Sequence, residues 1–338
     1  MIEQDQSVFA PFRGKSVLFI TTKNTDYIRN TQEIEALSVT AGSVTILGYA
    51  YKSYVKRLML IFLRLLFMPM RPYDAVFVGF APQLILPFFR WRFKAKLIGE
   101  DFFISLYDTL VNDRKKFQPG SVFARILRHY DKITLDRAGF IVADTQAHAN
   151  FFVREFGADP QRMHVLYLEA DRSIYYPRKA QAKSSQSEKK AFTVLYFGSI
   201  LPLQGTEVLL ECVQLMRDNT EISFEIIGPV REAEKERCKD CNVSFTPWLS
   251  QKELAERIAV ADLCLAGHFN AQIGKAARTI PGKAYIYEAM EKPMILGENP
   301  ANHELFSEDG THFFVKMGDA AALKEIILLA SNRLKNGQ

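Results

Sequence analysis

Cysteine is scarce in this chain, at 4 of 338 residues. So few thiols cannot staple a chain of this length, which excludes a secreted disulfide framework. Long apolar runs are missing too. The longest, Leu58 to Met70, has 13 residues and contains Arg64, short of the ~20 that a membrane-spanning helix needs. No cationic-then-apolar leader precedes Lys15, so a cytoplasmic protein is expected. Charge of one sign is modest, with 43 Lys and Arg against 38 Asp and Glu, a net +5. That balance suits an acidic ligand or an anionic surface and falls short of a nucleic-acid footprint, so no nucleic acid is expected. No tight His, Asp and Glu cluster has metal-ligand spacing, and no metal is expected. The one C-x-x-C, Cys238 and Cys241, lacks a second pair at zinc spacing and reads as an exposed turn.

What is present is globular material. Hydrophobic residues make up 48% and charged residues 24%, enough for two packed cores. After a polar tail, β-branched and aromatic runs at 16–21, 44–47, 75–78, 96–98, 139–142 and 164–167 read as strands. Helices are expected over about 29–39, 53–67, 82–93, 121–137 and 147–156. Arg178 to Lys190 has no apolar residue larger than Ala and reads as a linker. The alternation then restarts. Strands are expected at 192–197, 223–227, 243–245, 263–266, 294–296 and 313–315, and helices near 207–216, 251–259, 283–290 and 320–332. Alternation of this kind predicts α/β architecture with two facing, doubly wound Rossmann-like domains, 1–178 and 191–338, joined by a linker at 179–190. Ligands in such sheets bind beyond the carboxyl ends of the strands, so the cleft between the halves is the expected site.

Two loops of the second half carry the chemistry. Gly198 to Thr206 (GSILPLQGT) runs from a buried strand through two glycines into a helix. Glycines let backbone N–H groups approach a phosphate, and a helix start adds positive potential. An ordinary β–α connection is the alternative. Gly274 to Lys283 (GKAARTIPGK) places Lys275, Arg278 and Lys283 after a strand. Three cations there suit a diphosphate, or else form a solvated basic loop. Glu304 follows another strand, where a carboxylate accepts from ribose hydroxyls or caps a helix. In the first half, Glu100, Asp101, Ser105 and Asp108 follow the 96–98 strand and are candidates to orient an acceptor hydroxyl, capping being the alternative. Arg29 and Asn30 follow the first strand and are weaker candidates for the same phosphates. His148 falls on a helix, and His268, near the second loop, either touches the donor or is a satisfied structural histidine.

At this point the second half resembles the nucleotide-sugar-binding domain of GT-B glycosyltransferases of the family-4 type. The matching segments run in order: YFGSILPLQGTEVLLE, EIIGP, VSFTPWLSQKELAERIAVADLCL, RTIPGKAYIYEAMEKPMILGENPANHELF and GTHFFVKMGDAAALKEII. They cover nearly all of residues 191–332. In the first half, IVADTQAHANFF and VLYLEADRSIYYPR fit more loosely. The resemblance implies a hexosyl transfer from a nucleotide sugar, with retention and without a metal. Taken with the loops above, the expected site has donor binding by Gly198, Ser199, Gln204, Gly205, Lys275, Arg278, Lys283 and Glu304, catalysis by Asp101 and Glu288, and acceptor contacts from Glu100, Ser105 and Asp108. The nucleotide sugar is a substrate, so no cofactor is implied. Departures are plain. Many members carry Arg and Lys where this chain has Ser199 and Gln204. Many also carry two Glu seven residues apart. Here Arg278 and Ile286 hold those positions, and Glu288 lies two residues off the register. Lys283 is the expected replacement for the missing diphosphate cation.

Tyr51 to Arg71 is rich in Leu, Met, Ile and Phe, with Lys56, Arg57 and Arg64, the two arginines a heptad apart. It reads either as a basic amphipathic helix on an anionic membrane or as a buried helix with one wet edge. Arg90 to Lys94 (RWRFK) offers an interfacial anchor. Peripheral contact through 51–71 at the inner face of the cell membrane would imply a lipid-linked rather than a free glycan acceptor, in cell-surface polysaccharide synthesis. Two rivals share the architecture: a sugar-nucleotide epimerase and a non-catalytic binding subunit.

Overall fold

Strands with apolar residues on both faces must be covered on both faces, and that requirement sets the architecture. The computed structural model describes residues 6–94, 96–178 and 191–337, so the expected linker at 179–190 lies outside the described residues. Residues up to Glu169 form one compact unit and those from Ala170 a second. This division groups 170–178 with the second unit. Composition marks where polar residues begin, not where packing changes partner.

The first unit runs β1 (Ser16–Ile20), α1 (Ile28–Thr40), β2 (Ser43–Leu47), α2 (Tyr54–Phe67), β3 (Ala75–Val78), α3 (Leu86–Phe89), β4 (Leu97–Asp101), α4 (Val122–Arg137), β5 (Phe140–Ala143), α5 (Gln146–Phe156) and β6 (Met163–Val165). The order β2-β1-β3-β4-β5-β6 is parallel throughout. β3 and β5 are buried along their whole length, whereas the edge strand β2 is largely exposed. Side-chain oxygens of Ser53, Ser121 and Thr145 accept from the first turns of α2, α4 and α5, which fixes where those helices start.

Several expectations change. The polar tail is instead a 3₁₀ helix at Gln6–Phe12. It buries Phe9 and Phe12 against Phe77 and Phe140, with Phe12 and Phe140 ring centroids 5.1 Å apart. Two phenyl rings in one short segment outweigh its polar neighbours. The helix expected over 82–93 breaks into a 3₁₀ turn at Pro82–Leu84 and the four-residue α3. Arg57 does not share a wet face with Arg64. It is buried with Ile61 and Leu65, its guanidinium over the Tyr54 ring. α2 nonetheless leaves Val55, Met59, Leu63, Leu66 and Phe67 exposed.

The second unit runs β7 (Phe192–Phe197), α6 (Thr206–Leu215), β8 (Ile222–Ile227), α7 (Glu232–Arg237), β9 (Val243–Thr246), α8 (Gln251–Val260), β10 (Leu263–Leu265), α9 (Gly282–Ala289), β11 (Met294–Gly297), β12 (His312–Val315) and α10 (Ala320–Asn336). Its parallel order is β12-β11-β10-β7-β8-β9. The order reverses beside β7, so the gap between β7 and β10 is the topological switch point. α7 was not foreseen. It buries Cys238 beside the Leu210 carbonyl, so the C-x-x-C is not an exposed turn. Among the described residues, no helix is long and apolar enough to cross a membrane.

Candidate functional site

The second unit's site forms where β7 and β10 end side by side. Gly198 and Gly228 have φ of 147° and 146°, a region open to glycine. A Cβ on Gly228 would lie 2.2 Å from the Gly198 carbonyl oxygen, so the turns after β7 and β8 touch through bare backbone. Gly205 has φ 66°, and a Cβ there would meet the Asn270 nitrogen at 2.7 Å. The Phe269 N–H donates to the Gln204 carbonyl at 3.2 Å, and Asn270 Nδ2 donates to the Pro202 carbonyl at 2.9 Å. These bonds tie the 198–206 loop to the segment after β10.

Lys283 stands between the two glycine turns. Pro281 precedes α9, whose first turn therefore lies at the carboxyl ends of the strands. The Lys283 side chain is buried and donates to Gln204 Oε1. Its Nζ lies 3.3 Å from where a Cβ on Gly198 would be, and 3.0 Å from one on Gly267. It also sits over the Tyr196 ring, 4.9 Å from the centroid. Burial pushes this amine down to about 7. The Tyr196 hydroxyl, buried beside Gly198, has no hydrogen-bond partner among the described residues, and burial raises its pKa. Two donors thus converge on the glycine turn, one of them a cation with no carboxylate in hydrogen-bond contact among the described residues. A buried amine of this kind is completed by an anion.

The structure therefore brings Gly198, Gln204, Gly205 and Lys283 together. Ser199 lines an open depression of ≈ 510 Å³ with Gly205, Thr206, Pro229 and Arg231. Lys275 belongs to a 3₁₀ turn at Gly274–Ala277 that packs on the Pro202–Gln204 turn, and Arg278 folds back over Gly274. Glu304 ends a 3₁₀ turn, Asn302–Glu304, beyond the carboxyl end of β11. His268 is buried with φ 58°, its Nδ1 3.1 Å from the Thr279 carbonyl.

Glu288 is a correction. α9 runs back toward the amino ends of the strands, and Glu288 is in its last turn. There its carboxylate meets His312 Nε2 at 2.9 Å, at the start of β12. The hydrogen bond to His312 holds the carboxyl below its usual range. Glu288 is thus at the opposite end of the sheet from Lys283.

The first-unit candidates also differ from expectation. Asp101 ends β4 with both oxygens 3.0 Å from Arg29, which also reaches the Leu166 carbonyl. Arg29 is 3% exposed and Asp101 1%, so Arg29 ties α1 to β4 and β6 and is not a free cation for phosphate. Asp101 is correspondingly not a free base. Asn30 is also spent, donating to the Asn24 carbonyl. Burial, reinforced by the Asp101 charge, raises Glu33 well above the carboxylate range. Glu100 points to the other face of β4, is fully buried, and is raised by burial and by Asp101 and Asp131. Ser105 donates to Asp131 at 2.7 Å and accepts from the Asp108 N–H, while Asp108 accepts from Asn112. These groups hold the loop after β4 in place. Asp131, on α4, anchors it by accepting from the Leu106 and Tyr107 N–H groups. Burial lifts Asp131 to about 6 against those bonds.

Sequence reasoning missed Tyr196, Gly228, Gly267 and Arg231 in the second unit. The glycines each follow a strand, which is the signal that finds them. In the first unit it missed an aromatic group beyond the strand ends. Tyr27 lies 5.8 Å from Phe80 and 6.5 Å from Phe103, with Lys23 over both Tyr27 and Phe80.

Residues 191–332 match the family model described as Glycosyl transferases group 1. Over 168 residues the chain is 26% identical to the D-inositol 3-phosphate glycosyltransferase of Nocardioides sp., covering 42% of this chain and 36% of that protein. The chain thus spans little more than a third of the length of the curated relatives it matches. Sucrose-phosphate synthase from Thermosynechococcus elongatus superposes with TM-score 0.64 at 13% identity, over 95% of this chain and 94% of that one. HepE of Anabaena, solved with UDP and glucose, gives 0.60 at 14%, over 95% and 94%.

Three outcomes follow from these contacts. Gly228→Ala costs ~3 kcal/mol or more, because backbone must move as well as φ. Gly310→Ala, where a Cβ meets nothing within 4 Å, costs only ~1 kcal/mol; equal urea midpoints for the two would refute the close approach. Arg29→Met strands the Asp101 charge and costs ~3–5 kcal/mol. Glu33→Gln, replacing a carboxyl that burial pushes toward its neutral form, costs under ~1 kcal/mol in the same urea titration. Lys283→Met stabilises the ligand-free protein. Below pH ~7 the lysine is charged in both states and its burial cost is fully present. Between pH ~7 and ~10 only the unfolded chain keeps the proton, so wild-type stability rises with pH. The melting-temperature gain of the variant is therefore largest near pH 6 and fades toward pH 10.

Proposed function

We propose that the protein transfers a glycosyl group from a nucleotide sugar, since residues 191–332 match the model described as Glycosyl transferases group 1 and the chain has the GT-B fold. The observation that carries this reading is the buried Lys283 amine and the Tyr196 hydroxyl at the glycine turn beside the switch point. The donor diphosphate supplies the anion that completes them. As the bond from the anomeric carbon to the diphosphate breaks, negative charge grows on the leaving group, where the Lys283 cation and the Gly198 and Gly205 turns lie. The bond that replaces it forms to an acceptor hydroxyl, with retention at the anomeric carbon as the family resemblance implies. No resident cofactor or metal enters this scheme.

The acceptor is a glycan or a lipid-linked sugar used in cell-surface polysaccharide synthesis, reached from the cytoplasm at the inner membrane face. Support comes from the Tyr27, Phe80 and Phe103 rings, whose faces suit stacking on a sugar, and from the exposed apolar residues of α2. One observation favours a second reading. Glu288 is tied to His312 away from Lys283, and Asp101 to Arg29, so a subunit that binds donor without turnover is the rival.

Thermal-shift measurements with UDP, GDP, ADP, TDP and CMP test donor binding. A nucleotide at 100 times its Kd adds about 2.7 kcal/mol. One nucleotide is expected to shift wild type and to lose its effect in Lys283→Ala. Binding at pH 8 also charges a lysine that is largely neutral in the empty site. Calorimetry in buffers of different ionisation enthalpy should register proton uptake, which Lys283→Met abolishes. No shift with any nucleotide, or uptake unchanged in the variant, overturns the donor assignment. Donor binding with no glycosyl loss from any nucleotide sugar in the presence of membranes selects the non-catalytic rival.

A further inference from the structure

Away from the strand ends, the first unit carries a second hollow that the transfer chemistry does not use. It measures ≈ 630 Å³ and lies at the amino end of β4, between α3 and the last turn of α4. Leu86, Phe88 and Trp91 line it together with Arg90, Lys94 and Arg137. Lys96 and Asp136 also border it, but Lys96 donates to the Tyr73 carbonyl and Asp136 pairs with Lys132 at 3.0 Å. Arg137 donates to the Leu86 carbonyl at 3.2 Å, which fixes its guanidinium at the wall. Burial and the neighbouring Arg90 charge together lower its pKa, so two like charges are crowded at one opening.

The rim of the hollow is apolar and continues outward. Phe88 lies 5.6 Å from Phe62 of α2 and 6.4 Å from Tyr130 of α4, so three helices share one aromatic seam. Around it, Phe67 is 82% exposed, Trp91 61% and Phe123 62%, with Val55, Met59, Leu66 and Ile126 also exposed. Isolated exposed apolar residues need no explanation, but a set spread over three adjacent helices marks a contact surface. Charge identifies the occupant. Residues 51–96 hold nine Lys and Arg and a single acid, Asp74. An apolar surface with a Trp and a cationic border matches the interface of an anionic bilayer, not a second copy of this chain, whose matching face is equally cationic.

We propose that the hollow between α3 and α4 seats the phosphate of an anionic lipid headgroup while the α2–α3–α4 seam rests on the acyl boundary. This deepens the membrane-contact reading above and depends on none of the donor chemistry. Arg90 and Lys94 close on the phosphate from the exposed side, and Arg137 meets it from the wall. Trp91 marks the depth of insertion.

The test is co-sedimentation of the full chain with vesicles of phosphatidylcholine alone, or with a third of it replaced by phosphatidylglycerol, at low and high salt. Wild type should bind the anionic vesicles and be released by salt. Arg90→Ala/Lys94→Ala should bind about thirtyfold more weakly, the loss expected for two surface cations. Arg13→Ala/Arg154→Ala, which removes equal charge outside the hollow, should bind within about threefold of wild type. Melting temperatures and urea midpoints equal to wild type in both variants verify the fold. Equal loss in the two double variants overturns the headgroup site and leaves a diffuse basic surface. No binding to either vesicle overturns the membrane reading itself, and a concentration-dependent dimer in which Phe67→Ser is monomeric would assign the seam to a second copy. Glycerol phosphate at millimolar concentration should displace the protein only weakly; full displacement would mean that a soluble phosphate is the ligand.

Discussion

An amine held away from water is either neutral or waiting for an anion, and this constraint organises the second unit. Lys283 reaches its position because α9 begins at the carboxyl edge of the sheet, after a proline that cannot continue the preceding turn into a helix. The space it occupies exists because Gly198, Gly228 and Gly267 have no side chains. Any Cβ there would collide with backbone, with Gln204 or with the amine itself. The glycines, the tie between Gln204 and Phe269, and the β7–β10 adjacency serve one geometry. They let a buried donor face a backbone turn with nothing in between. The cost is carried by the ligand-free protein, which keeps Lys283 near neutrality at the expense of stability.

The first unit solves a different electrostatic problem. Its strand ends gather Glu33, Glu100, Asp101 and Asp131, nearly all shielded from water. One guanidinium, Arg29, pairs with Asp101 at 3.0 Å and with Glu33 at 3.7 Å, and burial pushes Glu33 and Glu100 toward their protonated forms. Such an arrangement fixes loops precisely, since each buried acceptor dictates the position of its donors. Asp131 does so for the turn after β4, through Ser105, Leu106 and Tyr107. The carboxylates that read as catalytic from their place after a strand are therefore supports for that place.

Alternation of short apolar runs and helical stretches made both sheets legible from the residues alone, because parallel strands buried on two faces leave an unmistakable pattern. That Lys283 and the 198–206 turn lie close together was legible for a related reason: both follow strands of the same parallel sheet, and such loops gather beyond the carboxyl ends. Three things were hidden. Phe9 and Phe12 sit in a polar stretch, and only packing against Phe140 shows their role. Helical spacing puts Arg57 on one face with Arg64, yet Arg57 is buried, its guanidinium over the Tyr54 ring. Asp101 and Arg29 lie far apart in sequence, and nothing local announces their pairing. Local pattern reveals elements; long-range ion pairs decide which charges remain available.

The unequal spread of charge along the chain has a consequence before any contact is made. Residues 51–96 carry more positive charge than the whole protein's net +5, so the remaining chain is net acidic. The first unit thus has its positive charge concentrated on one stretch of the chain. Near a negatively charged boundary that stretch is attracted at separations of about a Debye length, ~8 Å at physiological salt. The first unit would turn its α2–α3–α4 side inward during approach. Orientation then precedes landing, and fewer collisions are wasted on the wrong face.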